Sequence, residues 1–85
     1  MRKVIIYTTD HCPYCSNAKM LLEKKGVQYE EIRLDLRPEL VDEVREKCGG
    51  SRTVPQIFID DLHIGGCDDL YELEYDNKLD GLLKR

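Results

Sequence analysis

An 85-residue chain with 41% hydrophobic and 35% charged residues has the composition of one small domain, 1–85, that buries somewhat over about 60% of the surface its unfolded form exposes. Its formal net charge of −4 comes from acidic and basic residues interspersed along the chain, which argues against nucleic acid or anionic lipid as a partner, and no stretch is apolar enough to span a bilayer. Met1-Arg2-Lys3 runs straight into a strand-like segment with no apolar leader, so a cytoplasmic location is expected and the four cysteines read as redox or metal chemistry, not as a secreted disulfide framework.

Val4-Ile5-Ile6-Tyr7 is a β-branched and aromatic run that predicts a buried strand, followed by the polar loop Thr8-Thr9-Asp10-His11. From Pro13 the spacing turns helical, with Ala18, Leu21 and Leu22 on one face, Lys19, Lys24 and Lys25 outside, and a stop at Gly26. Tyr29, Ile32, Leu34 and Leu36 predict a second strand ending near Asp35, which completes a βαβ unit. Pro38 suits a first helical position, and Leu40, Val41, Val44 and Cys48 share a face before Gly49-Gly50. Gln56-Ile57-Phe58-Ile59 and Leu62-His63-Ile64, joined at Asp60-Asp61, predict a hairpin. After Gly65-Gly66, Asp68 is the expected N-cap of a helix that turns Leu70, Leu73 and Tyr71 inward, and Leu79, Leu82 and Leu83 close the chain as helix. The expected order is β-α-β-α-β-β-α with a short helical end.

The chemistry concentrates at Cys12 and Cys15. With Pro13 in the first helical position, Cys12 is the N-cap, and its sulfur faces backbone N–H groups that have no carbonyl partner. Those donors and the positive end of the helix favour thiolate over thiol; a Cys-x-x-Cys cysteine so placed commonly has a pKa of about 3.5–7.5. Cys15 lies one turn on, within reach of a disulfide and placed to resolve a mixed disulfide formed at Cys12. The competing reading is half of a zinc site, for which Cys48, Cys67, His11 and His63 are formally available as further ligands. Zinc ribbons place such pairs on knuckle-like turns, whereas this pair opens a helix inside a βαβ pattern, and the redox reading is preferred.

Three motifs in order, Cys12-Pro13-Tyr14-Cys15 after a strand, Thr53-Val54-Pro55-Gln56-Ile57-Phe58-Ile59, and Gly65-Gly66-Cys67-Asp68-Asp69-Leu70, resemble the dithiol Cys-Pro-Tyr-Cys class of bacterial glutaredoxins over nearly the whole chain. The resemblance implies an α/β thioredoxin fold, a four-stranded mixed β-sheet flanked by helices, and a thiol–disulfide oxidoreductase with Cys12 as nucleophile and Cys15 as resolving thiol. It implies a cis peptide bond before Pro55 and glutathione contacts at Tyr14, Thr53, Val54, Pro55, Cys67, Asp68 and Asp69. The glutamyl carboxylate would meet N–H groups around Cys67 and Asp68, and an aspartate there the ammonium; taken alone, Asp68 reads equally well as a helix cap and Asp69 as a complement to the helix dipole. Implied partners are glutathione or another thiol donor and disulfide-containing client proteins, ribonucleotide reductase among the candidates. The protein would be a monomer with glutathione as co-substrate and no permanently bound cofactor or metal. The alternative within the resemblance is a dimer holding a [2Fe–2S] cluster through Cys12 and glutathione.

Two positions depart from the pattern: Thr9 stands where many relatives carry a lysine, and Asp42, counted back from Thr53, where a glutamine or arginine is common. Arg37, Arg45 and Arg52 are the candidates to compensate. Cys48 reads as a packed thiol, Cys67 as a structural or backbone contact, and His63 as solvent-facing; His11 adjoins Cys12 without having to point at its sulfur.

Overall fold

In a computed structural model that describes residues 2–51 and 53–83, strand β1 (Val4–Thr8) lies at the centre of a mixed sheet of order β2-β1-β3-β4. It pairs in parallel with β2 (Tyr29–Arg33) and antiparallel with β3 (Gln56–Ile59), which forms a hairpin with β4 (Leu62–Gly65). Alternation along the strands sorts two cores. Val4, Ile6, Ile57 and Ile59 pack against α1 (Pro13–Lys24), α3 (Cys67–Tyr75) and α4 (Leu79–Leu83) through Ala18, Leu21, Leu22, Leu70, Leu79 and Leu83. Tyr7 and Phe58, edge to face at 5.8 Å, pack on the other side against Val44 and Cys48 of the second helical segment.

This is the architecture expected from the motifs, with local differences. β2 ends at Arg33 instead of Asp35, because residues 34–36 form a turn closed by Leu36 N–H to the Arg33 carbonyl at 3.2 Å, leaving Leu36 exposed. The second helix is a 3-10 turn (Pro38–Leu40) followed by a short α2 (Val41–Lys47), with Cys48 at its C-cap. Only Val44 and Cys48 of the expected apolar face are buried; Leu40 and Val41 are half-buried.

Lys25, expected outside, is drawn between α3 and α4, its Nζ 2.6 Å from Glu74 and 3.0 Å from Asp80, with the side chain 18% exposed. Tyr71, expected inward, is 40% exposed and donates its hydroxyl to the Asn17 carbonyl at 2.9 Å, tying the rim of α3 to α1. Both residues answer to partners on other helices. His63 is exposed as expected, but its ring also lies on Phe58 with centroids 5.0 Å apart.

Leu22 is fully buried between α1 and the sheet, whereas Met20 on the same helix is 59% exposed. Leu22→Ala is expected to lower unfolding free energy by about 2–5 kcal/mol, and Met20→Ala by under about 0.5 kcal/mol, in urea melts. Equal losses would contradict this division of the helix.

Candidate active site

The C-terminal end of β1 delivers the chain into the Thr9–His11 loop, where His11 adopts a left-handed φ of 54°, and then to Cys12. Cys12 is the N-cap of α1 with extended backbone (φ −114°, ψ 101°), and Pro13 takes the first helical position, where no N–H is missed. The Cys15 N–H donates to Cys12 Sγ at 3.1 Å, so one donor that the helix start leaves unpaired ends on sulfur. Cys12 and Cys15 are joined as a disulfide with Cα atoms 5.2 Å apart; Cys12 is half-buried and Cys15 is 2% exposed. When the pair is reduced, the same N–H favours a thiolate on Cys12, and burial keeps Cys15 beneath it.

On one side of this pair lies a groove of about 400 Å³ that brings together Tyr14, Thr53, Val54, Pro55, Cys67, Asp68 and Asp69. The Val54–Pro55 bond is cis, and the Val54 carbonyl oxygen lies 3.9 Å from Cys12 Sγ. The α3 end of the groove differs from the expected cap. Helix α3 begins at Cys67, so Gly66 and not Asp68 is the N-cap, and the Asp69 carboxylate accepts the Gly66 N–H at 2.9 Å. Asp68 is left exposed at the mouth. Gly65, at φ 117°, has no room for a Cβ because the Asp69 carboxylate occupies that space. Sequence reasoning did not place Ser51, Gln56 and His63 at this groove; only the buried polar Gln56 in an otherwise apolar strand signalled it.

A second, polar groove of about 450 Å³ contains Thr9, Cys12, Cys15, Lys19, Glu31 and Arg33. Glu31 accepts from Thr8 Oγ1 at 2.7 Å and Lys19 Nζ at 3.0 Å. Burial acts to raise its pKa, but these two donors outweigh it and hold the carboxyl below its ordinary value. His11 pairs with Asp10 at 3.2 Å and its side chain is 92% exposed. Burial pushes the Cys48 and Cys67 thiols up, away from thiolate. Among the described residues no three His, Cys, Asp or Glu side chains gather as a metal-ligand set.

Of the two departures, Thr9 is half-buried beside Cys12, while the Asp42 side chain points outwards, 98% exposed, and is not among the residues lining the first groove. Arg37 pairs with Glu39 at 2.7 Å. Arg45 borders a cleft with Thr53 and Val54, and Arg52 lies outside the described residues.

Comparison with known proteins accords with this geometry. The family model described as glutaredoxin matches residues 4–64. A glutaredoxin of Pseudomonas aeruginosa is 57% identical over 83 residues, 98% of each chain. The solution structure of a Brucella melitensis glutaredoxin superposes with a TM-score of 0.86 at 55% identity, covering 99% of this chain and 90% of that one. A buckwheat glutaredoxin–glutathione complex superposes with a TM-score of 0.88 at 34% identity, covering 96% of this chain and 76% of that one.

Because the folded Glu31 pKa is depressed, its stabilisation is present above the unfolded value of about 4.3 and is lost as pH falls through the folded value. Wild type is therefore expected to exceed Glu31→Gln in urea midpoint at pH 7, with the gap closing at pH 3. A gap independent of pH would show that the carboxylate charge contributes nothing.

Proposed function

The chain belongs to the glutaredoxin family of thiol–disulfide oxidoreductases, and we propose that it reduces protein disulfides and protein–glutathione mixed disulfides with Cys12 as nucleophile and Cys15 as resolving thiol. The observation that carries this reading is the Cys15 N–H directed at Cys12 Sγ, with Cys15 itself buried below at disulfide distance. The Cys12 thiolate attacks one sulfur of the client disulfide, that S–S bond breaks, and the leaving sulfur departs as a thiolate that takes up a proton. Cys15 then loses its proton and attacks Cys12 Sγ, releasing the second client thiol and closing the Cys12–Cys15 disulfide. Two glutathione thiols return the pair to the dithiol, giving up two electrons and leaving as one oxidised glutathione.

Glutathione is assigned to the groove on the Tyr14 side in an extended conformation. Its cysteinyl part lies along Val54, ahead of the cis Pro55, with Thr53 flanking. Its glutamyl carboxylate meets the free N–H groups at the start of α3, near Cys67 and Asp68. Asp69 is committed to the Gly66 N–H, so the exposed Asp68 is the carboxylate that receives the ammonium. For the glycyl carboxylate, Arg45 is the assigned cation: it borders the cleft behind Thr53 and Val54, and its buried Nε has no acceptor among the described residues. The solved buckwheat complex with glutathione, a structural neighbour over 96% of this chain, supports the choice of ligand. We read the 1–85 span as one monomeric unit working in the cytoplasm, where a reducing pool keeps such a dithiol turning over.

Cys12→Ser is expected to lower disulfide reduction to a few per cent or less, since serine is not ionised at neutral pH. Cys15→Ser is expected to abolish dithiol turnover of a protein disulfide while sparing turnover of a glutathionylated peptide, where external glutathione resolves the intermediate; equal loss of both would show that Cys15 does more than resolve. Thr9→Lys adds a cation beside an anionic ligand and is expected to tighten apparent glutathione affinity by about 1.4- to fivefold, with Arg45→Gln weakening it over a similar range. Added salt should erode both effects. Steady-state titrations at two ionic strengths, unchanged by either substitution, would place the glycyl carboxylate elsewhere.

A further inference from the structure

Gln56 is 4% exposed at the first position of β3, beside Tyr7 on the strand face that carries Phe58 and the α2 core. An aliphatic residue would pack there as well. A buried amide is tolerated only when its polar atoms are satisfied, and here every partner is a group that the groove depends on. Gln56 Nε2 donates to the Thr53 carbonyl at 2.9 Å and faces the hydroxyls of Thr53 at 3.1 Å and Ser51 at 3.2 Å. The Thr53 carbonyl can only accept, which sets the orientation of the amide. Gln56 Oε1 therefore faces His63 Nε2, 2.7 Å away, and that ring nitrogen must donate. His63 is held in turn by its ring contact with Phe58. Among the described residues, Ser51 and Thr53 are otherwise tied by the contact between their hydroxyls at 3.0 Å and by two longer bonds: Ser51 N–H to the Cys48 carbonyl at 3.3 Å and Thr53 N–H to Ser51 Oγ at 3.4 Å.

We propose that Gln56, oriented by His63, is a positioning residue that holds Ser51 and Thr53 and so places the Val54 backbone beside Cys12, setting how tightly the groove takes an extended thiol ligand. The inference rests on the assignment of that groove to the thiol substrate. His63 stands on the far hairpin strand and acts through the Gln56 amide, so its contribution depends on that amide being present.

The test compares Gln56→Met, nearly isosteric but without the amide, His63→Phe, which keeps the ring on Phe58 and removes the donor, and the double variant. In the oxidised protein without ligand, exchange of the Thr53 and Val54 amides is expected to accelerate in both single variants. With a glutathionylated peptide, Gln56→Met is expected to raise KM by about threefold to tenfold, the size of one net hydrogen bond, with less effect on kcat. His63→Phe should shift KM in the same direction and have no further effect in the Gln56→Met background. A merely structural role would lower the melting temperature without splitting KM from kcat. Additive effects, unchanged exchange, or faster exchange with unchanged KM would each overturn the proposal. His63→Phe, at an exposed position, carries the test by itself if Gln56→Met does not fold. Failure of the wild type to turn over the peptide overturns the glutathione reading, whereas loss of the exchange and coupling signatures overturns this one.

Discussion

A helix start leaves backbone N–H groups without carbonyl partners, and in this chain the atom placed to receive one of them is the sulfur of Cys12. Much of the structure serves that contact. The central strand β1 is paired on both sides, so its end is held firmly where the chain leaves for Cys12. Pro13 starts the helix without wasting a donor, and Ala18, Leu21 and Leu22 pin α1 to the sheet at a set height. Cys15 is buried by the same packing that keeps its N–H aimed at the reactive sulfur.

The other two cysteines show what the contact is worth by lacking it. Cys48 sits in the α2 core beside Tyr7 and Phe58, and Cys67 lies buried at the start of α3; burial raises both thiols and no helix-terminal N–H is recorded on either sulfur among the described residues. In the proposed mechanism one side-chain type thus serves as nucleophile, resolving thiol and packing atom according to which donors face it and how much water reaches it.

The two faces of the sheet are not equivalent. The face towards α1, α3 and α4 is apolar along β3, through Ile57 and Ile59, and supplies most of the core. The face towards α2 ends in Gln56, whose buried amide reaches Ser51 and Thr53. The groove draws on both sides: Gln56 comes from the second face, and Tyr14, Cys67, Asp68 and Asp69 come from the helices that cover the first.

Local physics was legible in the residues themselves: β-branched runs, the helix beginning at Pro13, the glycine that ends it and the Asp60-Asp61 hairpin turn each depend on neighbours a few positions away. The three motifs marked the groove through their resemblance to those of glutaredoxins. What only the tertiary structure decided are pairings between distant segments: Lys25 with Glu74 and Asp80, Tyr71 with Asn17, Gln56 with His63, and Glu31 with Thr8 and Lys19. The capping of α3 belongs with them. The spacing points to Asp68 as the cap, but the helix starts at Cys67, so it is the Asp69 carboxylate that takes the Gly66 N–H, and Gly65 permits this by leaving room for that carboxylate. A side chain's local propensity is set by its own chain neighbours, but its partner is set by which other elements the packed sheet brings within about 3 Å.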